Sequence, residues 1–160
     1  MFMTEVELET TIFTSKGYET RKLVTYIEIN GQKTEGMVDT GATHSFMSLE
    51  EARFLNIDLP SQSDTNYTLP MGIKIPIAFK EIDLKFYDSD TWENVVFEIS
   101  DVNFAVIMAS AEEMNEKVKI ENNKIRKEEI KSLPILLGMD DFLERVDLIF
   151  EGSQSFLLRF

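Results

Sequence analysis

Met37-Val38-Asp39-Thr40-Gly41-Ala42-Thr43-His44-Ser45-Phe46 sets a carboxylate directly behind two apolar residues and ahead of a small hydroxyl residue and a glycine. A strand that ends on such an apolar pair delivers the aspartate at its tip. The glycine lets backbone approach the carboxylate and donate an N–H to it, while the threonine can brace the loop. Asp-Thr-Gly alone serves in many turns, so the flanking sequence decides what it means.

Upstream, Leu23 to Ile29 and Gln32 to Val38 are rich in strand formers and are joined by Asn30-Gly31, the strongest short hairpin signal in the chain. A further strand is expected from Glu5 to Phe13. Downstream, Ser48 with Glu51 three residues on has the pattern of a capping box, which predicts a short helix ending near Asn56. Pro60 to Thr68 reads as a polar, turn-like stretch. Ile73, Ile75 and Ile77 then share one face of a strand, and Ile82, Leu84 and Phe86 share a face of a second strand after Lys80-Glu81. Asp88-Ser89-Asp90 makes a turn before Val95 to Ile99, and Phe104 to Met108 is either a buried strand or the start of a helix. Residues 110–133 alternate acidic and basic side chains with few apolar ones, an insertion expected to be solvated and partly helical. The chain closes with Pro134-Ile135-Leu136-Leu137-Gly138, a helical-looking Met139 to Arg145, and a hairpin of Val146 to Phe150 with Ser155 to Phe160.

Composition narrows the function classes. The 160 residues are enough for one domain with a core, and 43% of them are hydrophobic. There are 29 acidic and 16 basic side chains, a formal net charge of -13, so nucleic acid and anionic membrane surfaces are repelled at long range. With 0 cysteines there is no disulfide, thiolate nucleophile or cysteine-based metal site; with one histidine, His44, no multi-histidine metal site forms within a chain. No metal or cofactor is expected. Asp88-Ser89-Asp90-Thr91-Trp92-Glu93 fails as a calcium loop, because Trp92 occupies a ligand position and Glu93 the place of the required glycine. The acidic N-terminal residues and the lack of a long apolar run lead us to expect a cytoplasmic protein with no membrane contact.

Val38-Asp39-Thr40-Gly41-Ala42-Thr43-His44-Ser45-Phe46, followed about a hundred residues later by Ile135-Leu136-Leu137-Gly138-Met139-Asp140, resembles the retropepsin-like aspartic proteases, in particular the gag-polyprotein type. By order of elements the resemblance spans Lys22 to Ile107 and Leu133 to Phe160. It implies a mainly β, closed-barrel fold over residues 1–160, with 1–21 as an N-terminal strand extension and 110–133 inserted. It also implies that Asp39 is the catalytic aspartate, supported by Thr40, Gly41 and Ala42, and that Leu136-Leu137-Gly138 forms a crossed loop beneath it. A β-hairpin flap would be centred on Pro70-Met71-Gly72-Ile73. Two departures stand out: the flap tip is poor in glycine, and Asp140-Asp141 puts a second acid where a large apolar residue is common. His44 is expected to be a surface residue without catalytic duty.

Amide hydrolysis without a covalent intermediate needs a base to activate water and an acid to polarise the carbonyl. Asp-Thr-Gly occurs once, and Asp64-Thr65-Asn66 lacks the glycine, so one chain cannot supply both groups. The expectation is a homodimer, with one Asp39 per chain and one proton shared between two carboxylates about 3 Å apart, acting on a polypeptide substrate. The alternative is a catalytically silent dimerisation or peptide-binding module of the same fold.

Overall fold

The computed structural model describes residues 4–15, 18–68, 72–114, 116, 134–152 and 155–160. Among the described residues the strands and the first helix follow in the order β1 (Glu5–Glu7), β2 (Glu9–Ser15), β3 (Tyr18–Ile29), β4 (Gln32–Val38), β5 (Ser45–Met47), α1 (Leu49–Phe54), β6 (Thr65–Thr68), β7 (Lys74–Tyr87), β8 (Val95–Ile107), β9 (Ile135–Leu137), β10 (Asp147–Glu151) and β11 (Ser155–Arg159). Asn30 and Gly31 both take positive φ, +50° and +78°, the conformation that a two-residue hairpin between β3 and β4 requires. Ser48 caps α1 by accepting a hydrogen bond from the Glu51 N–H at 3.0 Å. The Glu51 carboxylate accepts from the Thr34 hydroxyl at 2.8 Å and ties the helix to β4.

The main sheet runs β2-β3-β4-β9-β5-β8-β7-β6, and β3 also pairs with β7 at Ile27↔Phe86 and Glu28↔Lys85. That extra pairing joins β3, β4, β9, β5, β8 and β7 into a ring, so the central strands have no open edge. Its interior is filled by Ile27, Ile29, Val38, Met47, Leu84, Phe86, Phe104, Val106 and Leu137, all buried. Phe142 closes one end, fully buried with its ring stacked on Phe86 at 5.9 Å. A second sheet, β1-β11-β10, brings the two ends of the chain together. Among the described residues no helix is long and apolar enough to cross a membrane.

Several elements differ from the sequence reading. Glu5 to Phe13 is not one strand: the chain breaks at Leu8, β1 joining the terminal sheet and β2 pairing with β3. Within the stretch read as polar turn, Thr65–Thr68 forms β6, whose alternating exposure hides only Tyr67 in part. No turn occurs at Lys80-Glu81, where β7 runs straight through for 14 residues. Its apolar residues change parity because Ile75 and Ile77 pack on an outer cluster while Ile82, Leu84 and Phe86 face the barrel interior. Phe104 to Ile107 is strand, the end of β8. Met139–Leu143 is not a regular helix, since Asp140 (φ −69°, ψ 132°) and Asp141 (φ +67°, ψ −37°) leave helical geometry. Asp141 is looped out, which lets Phe142 fill the apolar position. Of the insertion, residues 111–114 and 116 are helical, and 115 and 117–133 lie outside the described residues.

Candidate active site

β9 lies between β4 and β5. It is parallel to β4, with Gly36↔Ile135 and Val38↔Leu137, and antiparallel to β5 at Phe46↔Leu136. β4 and β9 therefore end at the same edge of the barrel, where the loop from Asp39 to His44 must arch across the exit of β9. Hydrogen bonds stitch the crossing: Asp39 N–H donates to Leu137 O (3.0 Å), Met139 N–H to Ala42 O (2.9 Å) and Asp140 N–H to Thr43 O (2.7 Å). Gly138 N–H donates to the buried Ser45 hydroxyl at 3.0 Å.

The crossing requires a glycine. A Cβ at Gly138 would lie 2.2 Å from His44 O, 2.6 Å from His44 C and 2.8 Å from Ala42 O. These are all backbone atoms that no side-chain rotation can clear. Above this contact Asp39 is half-buried, and its Oδ1 accepts the Gly41 N–H at 2.9 Å, which fixes the carboxylate's direction. Thr40 and Gly41 are exposed and Ala42 is half-buried. The Thr40 side chain lines an open groove of about 500 Å³ together with Met139, Leu143, Leu148 and Phe150. Within it Met139 is 45% and Phe150 59% exposed, unusual solvent exposure for large apolar side chains.

His44 is not a plain surface residue. Its side chain is 29% exposed, with Nε2 3.8 Å from Asp140 Oδ2. Its Nδ1 is buried and finds no hydrogen-bond partner among the described residues. The ring sits among Phe46, Tyr67 and Phe79 at centroid distances of 6.1, 6.1 and 6.0 Å. Tyr67 and Phe79 belong to β6 and β7, so these contacts join the Asp39 loop to that hairpin. Of the expected flap residues, Pro70 and Met71 lie outside the described residues. Gly72 has φ +78°, and Ile73 is buried just before β7. Among the described residues no three His, Asp or Glu side chains gather closely enough to hold a metal ion.

The model of the gag-polyprotein putative aspartyl protease family matches residues 25–76, from β3 through the Asp39 loop to the start of β7. The crystal structure of a retropepsin-like aspartic protease from Rickettsia conorii aligns with a TM-score of 0.60 at 17% identity, covering 99% of this chain and 92% of that one. The fold is retropepsin-like. A second solved structure, the retroviral protease-like domain of Ddi1 from Leishmania major, aligns with a TM-score of 0.41 at 14% identity over 81% of each chain. No curated protein matches in sequence.

Within this retropepsin-like fold the structure brings Asp39–Ala42 and Leu136–Gly138 into direct contact across about a hundred residues of sequence. Sequence reasoning missed Ser45, whose hydroxyl holds Gly138, and the His44, Phe46, Tyr67 and Phe79 cluster. A signal for Ser45 existed in the alternation Ser45, Met47 against Phe46, which turns the serine inward. The ring cluster joins residues from three segments, and no local pattern announces it.

Proposed function

We propose that this chain is an aspartic endopeptidase in which two copies each present one Asp39 and the paired carboxylates activate water for attack on a peptide carbonyl. One carboxylate, ionised, takes a proton from the water. The other, protonated, donates to the carbonyl oxygen, and the proton gained by the first then passes to the departing nitrogen. Gly41 N–H aims the carboxylate, and the Gly138 crossing holds the loop that carries it.

The observation that carries this reading is the interlock of the Asp39 loop with Leu137-Gly138-Met139. A half-buried aspartate is fixed there by backbone hydrogen bonds on both sides, a degree of preorganisation that an ordinary turn aspartate does not need. One chain holds one such aspartate, so the mechanism needs a second copy. The exposed Met139 and Phe150 beside Thr40 give that copy an apolar surface to cover. An extended peptide would lie between the Asp39 loop and the β6–β7 hairpin, held by strand-like backbone pairing.

The test is Asp39→Asn. The variant is expected to remain folded and dimeric and to lose cleavage of a peptide library from acidic to mildly alkaline pH. Turnover retained by the pure variant would refute the mechanism. Specific peptide binding without cleavage by the wild-type dimer would assign the chain to the silent-module reading instead.

A further inference from the structure

Outside the barrel interior lies a second apolar cluster of Ile75, Ile77, Ala105, Ile107, Ala109 and Met114, with Phe46 and Tyr67 packed against it. It sits beneath the base of the β6–β7 hairpin, where Tyr67 faces Ile75 and Thr65 faces Ile77 across the strands. On one flank Tyr67 leans on Phe46 (5.2 Å) and His44 (6.1 Å), next to the Asp39 loop. On the other flank the support is the chain leaving β8. Met108 N–H donates to Pro76 O at 2.8 Å, and the chain then turns into the helical residues 111–114. Ser110 caps that turn by accepting from Glu113 N–H at 3.1 Å. The Ala111 N–H reaches Glu50 on α1 at 2.8 Å, anchoring the turn to a separate element. Met114, 9% exposed, is driven into the cluster against the first residues of β7.

We propose that residues 108–114 form a post that sets the pose of the β6–β7 hairpin over the Asp39 loop, with Met114 as its positioning residue. The proposal rests on the endopeptidase reading and names what governs substrate capture at that site. A short two-stranded hairpin is marginal in water by itself, so its pose is decided by what lies under its base. Among the described residues β6 has only β7 as a strand neighbour. Met114 and Ala109 line a cleft of about 230 Å³ together with Ile73 and Ile75, so truncating Met114 enlarges an existing space at the hairpin's support. Among the described residues the hydrogen bonds of the Asp39 loop run within the loop and to residues 137–140, and the post supplies none. Loosening the post therefore lowers the fraction of molecules with the hairpin in its binding pose while leaving the catalytic loop in place. That raises KM and spares kcat.

The experiment compares wild type, Met114→Ala, Met114→Leu and Glu50→Ala in the full chain. In peptide cleavage, M114A is expected to raise KM about ten-fold with kcat within about two-fold, M114L to restore KM, and E50A to shift KM the same way by a smaller factor. Amide hydrogen exchange is measured on the same proteins and does not depend on activity. M114A should speed exchange at residues 65–68 and 74–77 and leave β3, β4 and β9 unchanged. A fall in kcat at constant KM, or exchange that rises evenly through the barrel or not at all in the hairpin, would overturn the proposal. If wild type cleaves no peptide, the endopeptidase reading fails, and the exchange pattern alone decides whether the post exists.

Discussion

Gly138→Ala is the sharpest perturbation available, because the added methyl group meets backbone rather than side chain. Its Cβ would stand 2.2 Å from His44 O and 2.8 Å from Ala42 O. Relief to an ordinary contact needs the two crossing segments to separate by about 1 Å, the kind of shift that small-to-large substitutions force at a cost of about 1–3 kcal/mol. Separation also stretches the bonds from Asp39 N–H to Leu137 O, Met139 N–H to Ala42 O and Asp140 N–H to Thr43 O, each worth about 0.5–1.5 kcal/mol net. Together the loss is about 3–7 kcal/mol, which for a chain of this size lowers Tm by about 10–20 °C. Urea unfolding of wild type and variant measures it. Gly31→Ala is the control: Gly31 has φ +78° with nothing within 4 Å of the added atom, so it carries only the left-handed backbone cost of about 1–2 kcal/mol. A Gly138→Ala loss no larger than that of the control would refute the reasoning that the crossing is sterically closed. Any cleavage activity should fall about a hundred-fold in Gly138→Ala, because a 1 Å displacement of the reacting group costs that much.

Phe142→Ala removes a fully buried ring stacked on Phe86 and should cost about 3–5 kcal/mol in denaturant unfolding. Ser48→Ala deletes the acceptor for Glu51 N–H and should cost about 1 kcal/mol by the same assay. The Thr91 hydroxyl bonded to Asp88 holds that carboxyl below its ordinary value of 3.8, with backbone N–H groups of Asn94 and Glu93 adding to the effect and slight burial opposing it. A depressed carboxyl contributes stability that is present above its unfolded value and lost as pH falls through the lower folded value. The 88–94 turn should therefore loosen only below the usual carboxylate range, and Thr91→Ala should move the Asp88 titration, followed by NMR, back up towards 3.8. An unmoved titration in that variant would contradict the assignment of the cause.

How far the sequence carried the reading depended on whether each signal was local. Asn30-Gly31 and Ser48 specify their turn and cap through side chains within a few residues, and both appear where they were expected. The β7 strand was misread as two because a change of apolar parity has two meanings, a turn or a strand with both faces buried at different points. Only the outer cluster around Ile75 and Ile77 decides between them. β6 was missed because its exposed Thr65, Asn66 and Thr68 leave a single half-buried residue, Tyr67, to mark a face. The barrel closes through Ile27↔Phe86, a pairing between segments far apart in sequence that no window reveals. The second acid at Asp140-Asp141 was legible as an oddity but not as an extra residue. Its explanation lies in Asp141 at φ +67°, whose carboxylate accepts from Asn103 N–H at 2.5 Å and whose carbonyl accepts from Arg145 Nε at 2.9 Å. Around Asp39, the two motifs could be read one by one, whereas the contact between them and the need for Gly138 belong to the fold.

The central claim, that two copies must each contribute Asp39, is tested most directly by mixing. Wild-type and Asp39→Asn chains are unfolded together in equal amounts, refolded so that dimers form at random, and assayed per wild-type chain. If both aspartates are needed, activity per wild-type chain falls to about half that of wild type refolded alone, because half of the wild-type chains are paired with an inactive partner. Activity per wild-type chain that is unchanged by the variant would show that each copy works alone and would contradict the account.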